Sequence, residues 1–176
     1  MAKVFELLSS LSEMEETAAR IYSKAAFAVN DDSSLRELLK GLAIEELEHM
    51  RMLNGFSRSV ASFEGFEGLE LDEDAVNRTR DYLKVAEKRI DAGRLTNGNL
   101  IDCVATTESS EWNREFLKVM DWVKSRSRSS IPAVAAVQQH KRSVERFLAT
   151  RPGFERFLVG MRSLPPVWEE RLLVVD

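Results

Sequence analysis

The sequence predicts an all-α fold: a four-helix bundle of two antiparallel helix hairpins, with an extra helix in the crossover and a short C-terminal helix. Three observations lead there. Apolar residues recur at helical spacing over long stretches. Four prolines and eight glycines in 176 residues are too few for a loop-rich fold. Ligand-type side chains also fall one helical turn apart, as in Glu46 with His49 and Glu108 with Glu111, so each pair would share a helix face.

The first helix is expected from about Val4 to Asn30, with Leu7, Leu8, Leu11, Met14, Ala18, Ile21, Tyr22 and Ala25 in phase. Asp31-Asp32-Ser33-Ser34 breaks it and offers a serine cap to the next helix. That second helix carries Leu35, Leu38, Leu39, Leu42, Ile44, Leu47, Met50 and Leu53, and ends near Ser59. A break this short between long helices makes an antiparallel hairpin.

Ala61–Asp74, with Gly65, Gly68 and many acidic residues, begins a crossover. Asp74 to Ala92 forms the extra helix, turning Val76, Tyr82, Leu83, Ala86 and Ile90 inward before Gly93 and Asn97-Gly98 end it. A third main helix runs from about Leu100 to Val123 through Val104, Glu108, Glu111, Trp112, Phe116 and Met120. Lys124–Ser130 is a polar turn, Pro132 suits a helix first turn, and the fourth main helix covers Ala133–Ala149. A short helix around Phe154–Met161 follows Arg151-Pro152-Gly153, then Pro165-Pro166 and an apolar tail. The whole reads as one domain, residues 1–150 forming the bundle and 151–176 completing it.

Apolar residues at 44% are enough to bury a core. The net charge of −4 gives no electrostatic case for nucleic acid or an anionic membrane. No run approaches the roughly 20 apolar residues of a membrane span, and glutamates interrupt the early apolar residues where a signal peptide would lie. Cys103 is the single cysteine, which excludes a disulfide framework and any paired-cysteine metal knuckle. A cytoplasmic protein is expected.

The chemistry lies in the charged residues on the apolar stripes. His49 and His140 are the only histidines, each on a helix that faces the core. Glu15, Glu46, Glu108 and Glu111 are the acidic candidates. Burying unpaired carboxylates costs several kcal/mol, and a metal answers that cost directly. Carboxylate oxygen with imidazole nitrogen suits iron, manganese or zinc. Glu13 and Glu16 flank Glu15, and the phase with Ala18 and Tyr22 favours Glu15. Tyr22 either hydrogen-bonds a ligand carboxylate or packs as a core aromatic. Met14, Met50, Met52 and Met120 read as core filling, and Cys103 as a small buried hydrophobe.

The motifs resemble those of rubrerythrins. Glu15-Glu16-Thr17-Ala18-Ala19-Arg20-Ile21-Tyr22 is similar to their first helix, Glu46-Leu47-Glu48-His49 to the second, and Glu108-Ser109-Ser110-Glu111 followed by Phe116 to the third. The resemblance spans most of Leu7–Leu148. It implies a ferritin-like bundle with a di-iron centre that reacts with peroxide or oxygen, in a homodimer. One metal would take Glu15, Glu46, His49 and Glu111; the other would take Glu108, His140 and a share of Glu46.

The fourth helix departs from the family pattern. It reads Val137-Gln138-Gln139-His140, with Val137 where the family carries a bridging glutamate. Two irons per chain are therefore expected, the second weakly held. With one cysteine the chain contains no four-cysteine rubredoxin module, so turnover would draw electrons from an external donor protein. The alternatives are a metal-binding sensory module of a longer signalling protein and a degenerate bundle acting through protein contacts. Arg171–Asp176 resembles the first strand of response-regulator receiver domains, or is an extended tail packed on the bundle.

Overall fold

A computed structural model describes residues 2–60, 72–94, 96–109, 111–124 and 131–162. The side chains of 2–4, 59–60, 111–113, 123–124, 131–138, 156 and 160–162 lie outside the described set. The described residues are all-α. The helices are α1 (Ala2–Ala28), α2 (Ser33–Val60), α3 (Glu73–Asp91), α4 (Asn97–Glu108), α5 (Glu111–Lys124), α6 (Ile131–Ala149) and α7 (Glu155–Arg162). The expectations for the crossover start, the polar turn and the tail from Pro165 to Asp176 fall mainly on residues outside that set.

α1 and α2 pack along their length. Near the loop, Arg36 donates to the carbonyls of Val29 and Asn30; at the far end, Ser12 donates to Asn54. The pair is therefore an antiparallel hairpin. Leu11, Ala18, Leu35, Leu39 and Leu53 are fully buried in its seam and the core around it. Each buried leucine contributes roughly 1.5–3 kcal/mol of transfer free energy. α3 lies against α1, where Arg20 and Lys24 reach Glu87 and Lys24 also reaches Asp91. α6 packs against α2, α4 and α7.

Helix ends follow from local chemistry. Asp32, rather than a serine, caps α2: its Oδ1 accepts from the Leu35 amide at 2.9 Å. Arg151 reinforces it with an ion pair at 2.9 Å. Asp72 caps α3, and Thr96 with Asn99 forms a capping box on α4. Gly93, at φ 63°, closes α3 in the left-handed conformation.

The expected third helix from Leu100 to Val123 is in fact two, α4 and α5. Ser109 Oγ donates to the Ala105 carbonyl at 2.7 Å, and the Ser109 amide bonds the same oxygen at 3.1 Å. The Ser109 backbone, at φ −96° and ψ 4°, leaves the helical range and ends α4. Glu111 opens α5 instead of continuing the turn that carries Glu108. Phe116, Val119, Met120 and Trp122 then return the chain to the core.

Candidate metal centre

Four helices bring ionisable side chains to one buried place. On α1, Glu15 follows the core phase of Leu11, Met14 and Ala18 and is 0% exposed, whereas Glu13 and Glu16 are exposed. Tyr22 lies two turns further along the same face. On α2, Glu46 and His49 stand one turn apart and are both buried. α4 contributes Glu108 from its last residue, and α6 contributes His140. The Glu111 side chain, and those of Val137 and Gln138, lie outside the described set, so the site is built from the other candidates.

Glu46 is the pivot. Its Oε2 accepts a hydrogen bond from His49 Nδ1 at 2.8 Å, while its Oε1 lies 3.7 Å from His140 Nε2. The two oxygens of one carboxylate thus face two different histidines. Glu15 Oε2 lies 3.8 Å from His49 Nδ1 on one side. Glu108 Oε2 accepts from His140 Nε2 at 2.7 Å on the other. Tyr22 donates its hydroxyl to Glu108 Oε1 at 2.9 Å. The imidazole rings of His49 and His140 are 5.1 Å apart, and Phe116 walls His49 at the same distance.

The electrostatics follow from burial and proximity. Burial pushes the Glu15 carboxyl well above its ordinary range, and the neighbouring Glu46 charge adds to it. Burial also pushes Glu46 upward, but the charges of His140 and His49 and the His49 hydrogen bond outweigh it, holding Glu46 down at about 2. For His49, burial opposes the charge, yet hydrogen bonds and attraction from Glu15 and Glu46 raise it to about 10. His140 is likewise raised, against burial, by Glu108 and Glu46. Tyr22 is held well above its ordinary value by burial and then by Glu108.

Hydrogen bonding leaves part of this cluster unsatisfied. Both oxygens of Glu15 and the Oε1 of Glu46 are buried without a hydrogen-bond partner. Such oxygens carry a cost of several kcal/mol unless a cation or a proton meets them. One donor atom each from Glu46, His49 and His140 lie within 4.8 Å of one another. Ligand distances of about 2 Å around an ion put donor atoms roughly 3–4 Å apart, so small side-chain shifts would close the set. Hard oxygen and imidazole nitrogen fit iron, manganese or zinc.

No known protein family, curated protein or solved structure matches this chain. The functional reading therefore stands on the site itself. A groove of about 920 Å³ beside Phe27, Ile44 and Leu47 on α1 and α2 contains none of the site residues.

Two buried or half-buried carboxylates were not anticipated from the sequence. Glu115, on α5, accepts the Asp72 amide at 2.9 Å and pairs with Lys118, so it closes the start of α3 rather than joining the cluster. Glu45 lies beside the site: its Oε2 is 2.9 Å from His140 Nδ1. Glu115 stands in helical phase with Glu108 and Glu111 and was passed over, whereas the partner of Glu45 comes from a distant helix that spacing does not reveal.

Proposed function

We propose that this chain is a non-haem di-metal protein, a rubrerythrin-like oxidoreductase of ferritin-like fold that holds iron and reacts with peroxide or oxygen. The observation that carries the reading is Glu46, whose two oxygens face His49 and His140 in a buried cluster with carboxylate oxygens left unpaired. Glu15, Glu46 and His49 would hold one ion. Glu46, Glu108 and His140 would hold the other, with Glu111 adding to the first. Bound iron would supply paired-electron chemistry toward an oxidant.

The protein's own part is to hold the ligands and limit water. Tyr22 fixes Glu108, and Phe116 covers His49. The order of the candidate residues along α1, α2, α4 and α6 supports the rubrerythrin resemblance. An external electron donor, a homodimer and a cytoplasmic setting belong to the same proposal. Among the described residues, no helix is long and apolar enough to cross a membrane.

The second reading is a single-ion site used for sensing. It is favoured by the tight grouping of Glu46, His49 and His140, which suits one ion. Iron per chain, measured by mass spectrometry after anaerobic ferrous loading and desalting, separates the two. Near two irons in the wild type, lost in Glu46→Ala, supports the di-metal reading. About one iron, rising to two only in Val137→Glu, supports the single-ion reading. No retained iron overturns iron as the resident metal.

A further inference from the structure

We propose that Glu45 is a positioning residue for this centre: it holds the His140 imidazole with Nδ1 turned outward and Nε2 turned toward Glu46 and Glu108. The proposal rests on the metal-centre reading above. His140 is 4% exposed and comes from α6, whose sequence offers Val137 instead of a carboxylate one turn earlier. Its orientation therefore depends on contacts from the other helices.

Those contacts divide between the two ring nitrogens. Nε2 faces the interior, 2.7 Å from Glu108 Oε2 and 3.7 Å from Glu46 Oε1. Nδ1 faces Glu45 Oε2 at 2.9 Å. A neutral imidazole binds a metal through one nitrogen only when its proton sits on the other. In the metal-free structure Nε2 donates to Glu108; when an ion displaces that proton, a carboxylate at Nδ1 keeps the other and leaves the Nε2 lone pair for the ion. Glu45 Oε2 stands off the line of the Nδ1–H bond, since Nδ1 makes no hydrogen bond. The Glu45 side chain is 31% exposed, and the proposed role requires its carboxylate to turn into that line when a metal takes Nε2.

The arrangement at His49 differs. Its Nδ1 faces Glu46 and Glu15, both inside the cluster. The two histidines thus offer different nitrogens to the site, and Glu45 is the residue that sets this choice at His140.

The test uses the full chain and zinc alone, a redox-inert and diamagnetic probe. Zinc affinity is measured for wild type, Glu45→Ala, Glu45→Gln and Glu48→Ala. Histidine ring ¹⁵N spectra are recorded at one fixed pH with and without zinc. Glu48 is an exposed acid on the same helix, so its variant controls for simple loss of charge. Glu45→Ala should weaken zinc binding by ~10–100-fold, the usual effect of removing a partner of a ligand histidine. Glu45→Gln keeps an oxygen that accepts from Nδ1–H and should recover most of the loss, and Glu48→Ala should match wild type. In the zinc-bound wild type, the His140 signals should show protonated Nδ1 and metal-bound Nε2, a pattern lost in Glu45→Ala.

Wild-type affinity in Glu45→Ala, or weakening with unchanged His140 signals, overturns the positioning role. If the wild type binds no zinc, the centre as a zinc-capable site falls separately. The metal-free spectra then decide Glu45: a shift of His140 Nδ1 in Glu45→Ala, with His49 unmoved, supports the contact, and no shift overturns it.

Discussion

Tyr22 shows how much one buried hydroxyl can decide. It is 1% exposed and donates a hydrogen bond to Glu108, so it acts on the carboxylate as well as on the packing. Tyr22→Phe should destabilise the protein by about 1–3 kcal/mol in denaturant unfolding, because it strips a buried carboxylate of a donor while keeping the ring. Asp32 works at the surface of the same bundle. The Leu35 amide lowers its carboxyl to about 2 against the opposing effect of burial, with Ser34 and Arg151 adding to the shift. A depressed carboxylate contributes stability that is present above its ordinary value of 3.8 and is lost as pH falls through about 2. Asp32→Ala should cost about 1 kcal/mol at pH 7 as a lost cap. The gap between the wild-type and variant melting curves should then close between pH 4 and 2.

At the scale of elements, the α1–α2 hairpin supplies half of the site: Glu15, Tyr22, Glu46 and His49. Its long in-phase stripes made both helices legible in the sequence. Leu11→Ala, at a fully buried position, should lower stability by ~2–5 kcal/mol in chemical denaturation. The other half was read less well. The stretch expected as one helix is divided at Ser109, whose backbone leaves the helical range. Hydrophobic phase carries no record of that break, because α4 and α5 both turn apolar faces to the same core. Likewise, the cap of α2 was assigned to serine, but Asp32 has the stronger acceptor and a partner, Arg151, that only folding supplies.

The stability of the metal-free molecule should fall with pH, while that of the metal-loaded molecule should stay level over the same range. His49 is raised from 6.5 to about 10, burial being outweighed by Glu15 and Glu46. A raised histidine contributes stability that is fully present below its unfolded value and lost as pH climbs through its folded value. Metal-free protein should therefore lose stability between about pH 6.5 and 10. Burial and Glu46 raise Glu15, which disfavours the folded state in the same direction once pH exceeds its ordinary range. Metal must displace these protons, so its affinity should rise over that same window. Calorimetric melting of metal-free and zinc-loaded protein across pH 6.5–10 checks both slopes. At a free metal concentration about a hundred times Kd, binding should add about 3 kcal/mol of stability. Parallel slopes would mean that no proton leaves on binding.

The sequence by itself determined the helical class, the α1–α2 hairpin and a short set of inward ligand candidates, because helical phase is a local property. Glu15 was chosen over Glu13 and Glu16 by the motif resemblance together with the phase of Ala18 and Tyr22, and Glu15 is buried. Only the tertiary structure decided that Glu46 turns one oxygen to each histidine and that Tyr22 meets Glu108. It alone set Glu45 behind His140. Those contacts join residues on different helices, and their geometry depends on how the helices are rotated and shifted against one another. Spacing along the chain encodes which face a residue occupies, but not which atom of a distant partner it will meet.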